Sequence, residues 1–179
     1  MKLTPKQVEA QQLLGSSATH VMLFGGSRSG KTFLAVRRVI VRAIKAPKSR
    51  HAMLRFRFNA IKASIVYDTF PKVMELCFPG VKWDLNKTDW FVTLPNGSEV
   101  WFGGLDDKER TEKILGQEYA TIFLNECSQI PWSGREMAVT RLAQKVEQVI
   151  DGKPAGDLPL KMIYDENPPD RGHWSYRVF

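Results

Sequence analysis

Cysteine and long apolar runs are scarce in this 179-residue chain, and each scarcity excludes a class of protein. The two cysteines, Cys77 and Cys127, show no CxxC or framework spacing, which favours a reducing cytoplasm over secretion. His20, His51 and His173 are too scattered to form a metal cluster. The sequence has no recognisable signal peptide and no apolar run near the roughly 18 residues that a membrane span needs. We therefore expect no membrane partner.

Residues 32–67 contain no Asp or Glu but nine basic residues, in a chain whose formal net charge is +7. Such a block can steer nucleic acid by neutralising phosphates. It can equally be a solvated helix face that acids elsewhere in the fold balance, since charge alone indicates little. Both interpretations stay open. The basic residues of this block are Arg37, Arg38, Arg42, Lys45, Lys48, Arg50, Arg55, Arg57 and Lys62.

Strands and helices alternate along the chain, which predicts an α/β fold with a largely parallel sheet flanked by helices. A hairpin at 90–104 around Pro-Asn-Gly-Ser predicts an antiparallel edge. The predicted strands are 20–25, 51–56, 119–126 and 158–169, and the predicted helices are 3–14, 31–46, 59–78 (kinked or divided at Pro71) and 134–150. Composition suits one domain over 1–179. No settled helix is predicted after the last strand, so we expect a domain from a longer protein.

A glycine-rich segment joins the first strand to a helix and fits GxxxxGK[ST] at every fixed position. In this context the motif predicts a P-loop, whose backbone N–H groups and helix N-terminus hold phosphates. Lys31 would reach the β- and γ-phosphates and the Thr32 hydroxyl would ligate Mg²⁺. The sequence therefore predicts a nucleoside triphosphate site. The expected phosphate-binding residues are Gly25, Gly26, Ser27, Arg28, Ser29, Gly30, Lys31 and Thr32.

A second apolar strand, TIFLNECSQI at 121–130, brings polar residues to the end where a P-loop needs them. Glu126 is placed to polarise the water that attacks the γ-phosphate, although a surface salt bridge is the alternative. Asn125 stands where Asp is usual, and that Asp anchors Mg²⁺ through its water shell. Asn keeps an oxygen acceptor but lacks the charge. Either this branch tolerates Asn, or hydrolysis is weakened.

Four segments taken in order resemble one family, the ATPase domain of the phage large terminase subunit. They are LTPKQ, FGGSRSGKT, TIFLNECSQI and YDENPPDRGHW. The resemblance covers most of the chain. It implies a P-loop NTPase fold, hydrolysis of ATP with Mg²⁺, and a motor that couples turnover to translocation of double-stranded DNA. Clustered nuclease ligands are absent from this chain.

The resemblance also implies roles for single residues. Gln7 would bind the adenine edge, Arg28 would face the phosphates, and Asn167 would sense the γ-phosphate and pass the signal to a DNA-gripping element. Asn167 before proline also suits a simple turn. Arg110 is the candidate for an arginine supplied to a neighbouring subunit's ATP, although Leu115, rather than an arginine, precedes the following glycine.

The partners implied by the resemblance are double-stranded DNA, further copies of the chain in a ring, a portal and a small terminase subunit. The implied location is the cytoplasm of an infected or lysogenic bacterial host. Three rival functions remain: another nucleic-acid motor such as a helicase, a nucleotide-dependent DNA-binding switch with little hydrolysis, and a small-molecule kinase. The kinase would leave the acid-free basic block unexplained.

Overall fold

A seven-stranded sheet and a separate two-stranded ribbon organise the protein in a computed structural model that describes residues 2–26, 29–168 and 170–179. The sheet contains β1 (His20–Phe24), β2 (Arg50–Arg55), β3 (Asp84–Asn86), β4 (Phe91–Thr93), β5 (Glu99–Gly104), β6 (Thr121–Leu124) and β9 (Lys161–Glu166). The ribbon contains β7 (Glu147–Ile150) and β8 (Lys153–Asp157).

The strands of the main sheet lie in the order β1-β9-β6-β2-β5-β4-β3. Pairing is parallel from β1 to β5 and antiparallel between β5, β4 and β3. Gly97 turns the β4–β5 hairpin with a φ of +81°, a conformation that glycine adopts without strain. The predicted α/β fold with an antiparallel edge hairpin is confirmed.

Helices cover both faces of the sheet. They are α1 (Pro5–Leu14), α2 (Lys31–Lys45), α3 (Phe58–Ile61), α4 (Phe70–Cys77), α5 (Lys108–Ile114), α6 (Trp132–Thr140) and α7 (Trp174–Val178). Successive side chains in a strand point to opposite faces. Along β9, Ile163 packs with buried residues of α2 and α4, whereas Met162 and Tyr164 pack with those of α5 and α6. The sheet is therefore buried between two helical layers. Among the described residues, no helix combines the length and apolar character needed to cross a membrane.

The helix predicted for 134–150 is wrong in its second half, because α6 ends at Thr140 and the β7–β8 ribbon follows. Asp151 and Gly152 turn this ribbon with φ values of +52° and +74°. Asp-Gly favours a hairpin turn in which both central residues have positive φ. The apolar spacing of 134–150 suggested a helix, but this turn signal decides the local structure.

A π-helical segment, Lys62–Thr69, continues α3 and leads into α4. Proline lacks an N–H, and its ring clashes with the carbonyl four residues earlier in a regular α-helix. Directly before Pro71, the Phe70 N–H donates to the Ile65 carbonyl, five residues back, which widens the helix. The predicted disturbance at Pro71 therefore takes the form of a wider helical turn. The short helix α7 corrects the expectation that no helix follows the last strand.

Part of the acid-free basic block is structural. Arg42 is buried, and its Nε donates to the Thr121 hydroxyl over 2.7 Å. The Thr121 and Ser49 hydroxyls each lie 2.7 Å from a ring nitrogen of the buried His51. Arg50 pairs with Glu99 over 3.1 Å. These contacts stabilise the end of the sheet at which β2 and β6 begin, opposite the P-loop. The basic block therefore does not present all of its charges to a polyanion.

We expect the free energy of unfolding to fall as the pH drops below about 6.5, partly because of His51. Burial, helped by the charge of Arg42, lowers the pKa of His51 from 6.5 to about 3. Below pH 6.5 the unfolded chain binds a proton that the folded chain refuses, which costs up to about 1.4 kcal/mol per pH unit. Urea unfolding of the wild type and His51→Gln between pH 7.5 and 4.5 measures this. Equal pH slopes for the two proteins would contradict the prediction.

Candidate nucleotide site

The P-loop runs from the end of β1 to the start of α2, at the sheet edge where the parallel strands end. Gly30 precedes the helix with a φ of +79°, and a Cβ there would lie 2.7 Å from Gln7 Nε2. Glycine is therefore favoured by conformation, and any other residue would also push the end of the Gln7 side chain aside. Ser27 and Arg28, both predicted to bind phosphate, lie outside the described residues.

Gln7 connects α1 to the P-loop. Its Oε1 accepts from the Thr4 N–H over 3.0 Å, forming the capping box that starts α1. Its Nε2 donates to the Ser29 carbonyl over 3.0 Å. The side chain is thus held beside the phosphate loop, and its contact with adenine stays a prediction.

Lys31 is buried at the start of α2, and its ammonium group points back across the loop. Its Nζ donates to the Gly26 carbonyl over 3.2 Å and to Asn167 Oδ1 over 3.1 Å. Asn167 follows β9, so this contact joins the second of the four motifs, the P-loop, to the last. The structure brings together the proposed phosphate-binding lysine and the proposed sensor.

Asp165 is the centre of the polar network at this edge and was missed by the sequence reasoning. The Thr32 hydroxyl donates to its Oδ2 over 2.7 Å, and the Glu126 N–H donates to its Oδ1 over 2.8 Å. Asn125 Nδ2 lies 2.9 Å from Oδ1 and 3.1 Å from Oδ2. The carboxylate is fully buried. A signal was present, since Asp165 lies within the predicted last strand, 158–169, of a chain that also has the unusual Asn125.

Glu126 follows β6 with a φ of +49°, in the left-handed region that non-glycine residues rarely adopt. Backbone strain of this kind clusters at functional sites, where surrounding contacts maintain it. Its backbone N–H is fixed by Asp165, and its half-buried side chain makes no hydrogen bond with the described residues. The carboxylate is therefore available to a reacting water.

Arg55 also reaches this edge from the end of β2. Its Nη1 lies 3.2 Å from the Ser64 hydroxyl and 3.4 Å from Asn125 Oδ1. Arg110 lies on α5, where its guanidinium stacks 4.0 Å from the centre of the Phe58 ring. Arg110 is exposed. Its action on a neighbouring subunit stays a prediction.

A family model of the phage terminase large subunit matches residues 17–179. The chain belongs to this family. The match covers the P-loop, β6 and the segment after β9, and only the LTPKQ segment falls outside it. No curated protein matches the chain.

Solved structures with the same fold include three phage terminases. That of a thermophilic bacteriophage has 16% identity and a TM-score of 0.80 over 100% of this terminase chain and 42% of its own. That of bacteriophage HK97 has 13% identity and a TM-score of 0.65 over 98% and 36%. The ATPase domain from Thermus phage P74-26 has 17% identity and a TM-score of 0.61 over 100% and 74%. This chain spans less than half the length of the first two.

The donor atoms of this terminase site suit Mg²⁺, which prefers oxygen ligands and keeps several waters and phosphate oxygens in its shell. The Thr32 hydroxyl and the Asp165 carboxylate supply oxygens at the P-loop. Within the described residues no group of three or more His, Cys, Asp or Glu forms a closed metal cage. An open magnesium site shared with a nucleotide fits these residues.

Burial is the main cause of the pKa shifts of Asp165 and Cys127, which lie behind the site. It raises the pKa of Asp165, although hydrogen bonds from Thr32, the Glu126 N–H and Asn125 oppose the shift. Burial, with the charge of Glu166, also raises the pKa of the Cys127 thiol. The Cys127 thiol donates to Glu166 Oε2 over 3.3 Å on the other face of β9. Cys127 is thus a protonated core residue of this terminase.

We expect Gly30→Ala to destabilise the protein even without nucleotide. A left-handed φ costs an L-residue about 1–2 kcal/mol, and the new Cβ would displace Gln7. Gly26→Ala is the matched control, because a Cβ there meets nothing within 4 Å. Thermal unfolding of both variants measures the difference. Equal midpoints for Gly30→Ala and Gly26→Ala would refute the prediction.

Proposed function

We propose that this chain is the ATP-hydrolysing motor domain of a viral DNA-packaging terminase, which couples ATP turnover to translocation of double-stranded DNA. The observation that carries the proposal is the hydrogen bond between Lys31 and Asn167. It joins the phosphate loop to the segment that the family resemblance assigns to coupling. A P-loop that served binding alone would not require this contact.

In the proposed hydrolysis, Lys31 binds the β- and γ-phosphate oxygens and Gln7 contacts adenine. Glu126 accepts a proton from the water that attacks the γ-phosphate in line. When bound, Mg²⁺ supplies positive charge to the phosphate oxygens. Thr32 and the polar ends of β6 and β9 hold its shell, and Arg28 is assigned to the phosphates by resemblance.

In the proposed coupling, the γ-phosphate competes with Asn167 for Lys31. The lysine donates to Asn167 Oδ1 at 3.1 Å. A γ-phosphate carries more negative charge than an amide oxygen, so it would attract the ammonium group away. The released Asn167 is then free to bind the phosphate, and its own backbone moves with it. This exchange converts the nucleotide state into a backbone displacement.

The other proposed partners follow from the family. Double-stranded DNA is the proposed polyanionic partner, a ring of identical subunits the proposed assembly, and the portal and small terminase subunit the proposed neighbours. Lys48 and Arg57 are the exposed basic residues of the acid-free block. These two residues are available to DNA, whereas Arg42 is not. The proposed location is the cytoplasm of the bacterial host.

We expect Glu126→Gln to bind ATP with wild-type affinity but to hydrolyse it at least about 100-fold more slowly, because the amide cannot accept the water's proton. Phosphate release and nucleotide titration measure the two quantities. Glu136→Gln on α6 is the matched control, since that carboxylate is exposed. Normal turnover by Glu126→Gln would exclude it as the base.

We expect the specific activity of the wild type to rise with protein concentration, because the proposed site is completed by Arg110 of a neighbouring copy. Arg110→Ala should lose the rise, whereas Lys108→Ala, at another exposed position of the same helix α5, should keep it. Phosphate release across a concentration series, with Lys31→Ala as the blank, measures this.

Mixing two inactive variants sharpens the test. Arg110→Ala retains the base and Glu126→Gln retains the arginine, so mixed rings contain sites with both groups. Recovered activity in the mixture would support an arginine in trans. Activity that is independent of concentration, with no recovery on mixing, would mean that each copy hydrolyses ATP alone. ATP binding without any turnover would favour a nucleotide-dependent switch over a motor.

A further inference from the structure

We propose that Asp165 on β9 supplies the carboxylate that anchors the Mg²⁺ water shell, in place of the aspartate expected at position 125 on β6. The inference rests on the proposed ATPase function and assigns a role within that site. It makes Asn125 a positioning residue whose amide holds Asp165. The anchoring carboxylate thus lies on β9, the strand next to β6, where it is usually expected.

Strand order makes this exchange possible. β6 and β9 are parallel neighbours, with Leu124 opposite Tyr164. Asn125 and Asp165 are the next residues of the two strands, so they lie side by side at the same edge. Neighbouring strands are only about 4.8 Å apart. A carboxylate on β9 can therefore reach nearly the same space as one on β6.

The contact with Thr32 identifies which side chain holds the magnesium position. In a P-loop the Ser or Thr hydroxyl binds Mg²⁺ directly and the anchoring carboxylate lies beside it. Here the Thr32 hydroxyl donates to Asp165 Oδ2 over 2.7 Å, and no hydrogen bond joins it to Asn125 among the described residues. Asp165 thus occupies the position expected of the anchoring carboxylate.

The orientation of Asn125 shows why an amide is needed at that position. Its Nδ2 faces the carboxylate of Asp165, which only accepts, and its Oδ1 faces Arg55, which only donates. An aspartate at 125 would place two carboxylates about 3 Å apart, and such pairs cannot both ionise freely. Asn125 is therefore the hydrogen-bond partner that suits Asp165. The site keeps one carboxylate, so Asn in place of the usual Asp at position 125 does not remove the negative charge from the site.

The charge balance around Asp165 also indicates a cation. Its hydrogen bonds come from a hydroxyl, an amide and a backbone N–H, all neutral donors. Among the described residues, no Lys, Arg or His forms an ion pair with it. A buried carboxylate is costly unless a cation compensates it. Magnesium bound beside Thr32 would supply that compensation.

The test is the ratio of nucleotide affinities with Mg²⁺ and with EDTA, measured for ATP-γ-S by calorimetry. Asp165→Asn should reduce the gain in ATP-γ-S affinity that Mg²⁺ provides by about 10–100-fold, which is the usual effect of removing an outer-shell partner. Its affinity in EDTA should stay near wild type. Glu166→Gln is the matched control, because it removes a fully buried carboxylate from the same strand end on the other face, and its ratio should not change.

The exchange variant N125D/D165N keeps both the net charge and the donor–acceptor pair, so it tests the inference even if Asp165→Asn folds poorly. It should recover most of the magnesium-dependent gain. An unchanged ratio in Asp165→Asn, or an exchange variant that folds and binds ATP-γ-S in EDTA but gains nothing from Mg²⁺, would overturn the inference alone. A wild type that binds no nucleotide under either condition would overturn the proposed function as well.

Discussion

The insertion of β9 between β1 and β6 is the constraint on which the nucleotide site depends. β1 carries the P-loop but lies at the edge of the sheet, where β9 is its one strand neighbour among the described residues. β6 meets β9 on the other side. The same strand therefore sets the distance between the phosphate loop and the residues proposed to activate water. Because β9 also carries Asp165 near its end and leads to Asn167, it contacts both sides of the site through side chains as well as through its ladder.

At the ends of the parallel strands, the polar groups of the site form pairs between neighbouring strands: the carboxylate lies on β9 and its amide partner follows β6. Asn125 is neutral, but it donates to a carboxylate on the adjacent strand and accepts from Arg55. The charge and hydrogen bonding of such a site depend on all the side chains in contact. The effect of replacing one residue can therefore be judged only together with the residue that it contacts. An asparagine in a motif that usually has aspartate is then compatible with a working metal site.

Much of the fold followed from local patterns that the sequence displays openly. The P-loop has fixed glycine spacing between a strand and a helix, and the buried parallel strands are short apolar runs. The β7–β8 ribbon was missed because the apolar spacing of 134–150 outweighed the Asp-Gly turn. Asp165 and the burial of Arg42 were not predictable in the same way. Both depend on which strands become neighbours, and a contact such as Thr32 with Asp165 joins residues that are far apart in the chain.

The position of β1 also has a consequence for biosynthesis. β1 is synthesised well before the strand that pairs with it, Lys161–Glu166. Until then the apolar segment Val21–Leu23 has no ladder partner in the sheet, and unpaired strand edges promote association with other chains. The P-loop residues Lys31 and Thr32 therefore gain their partners Asn167 and Asp165 only after β9 and the residue that follows it have been made.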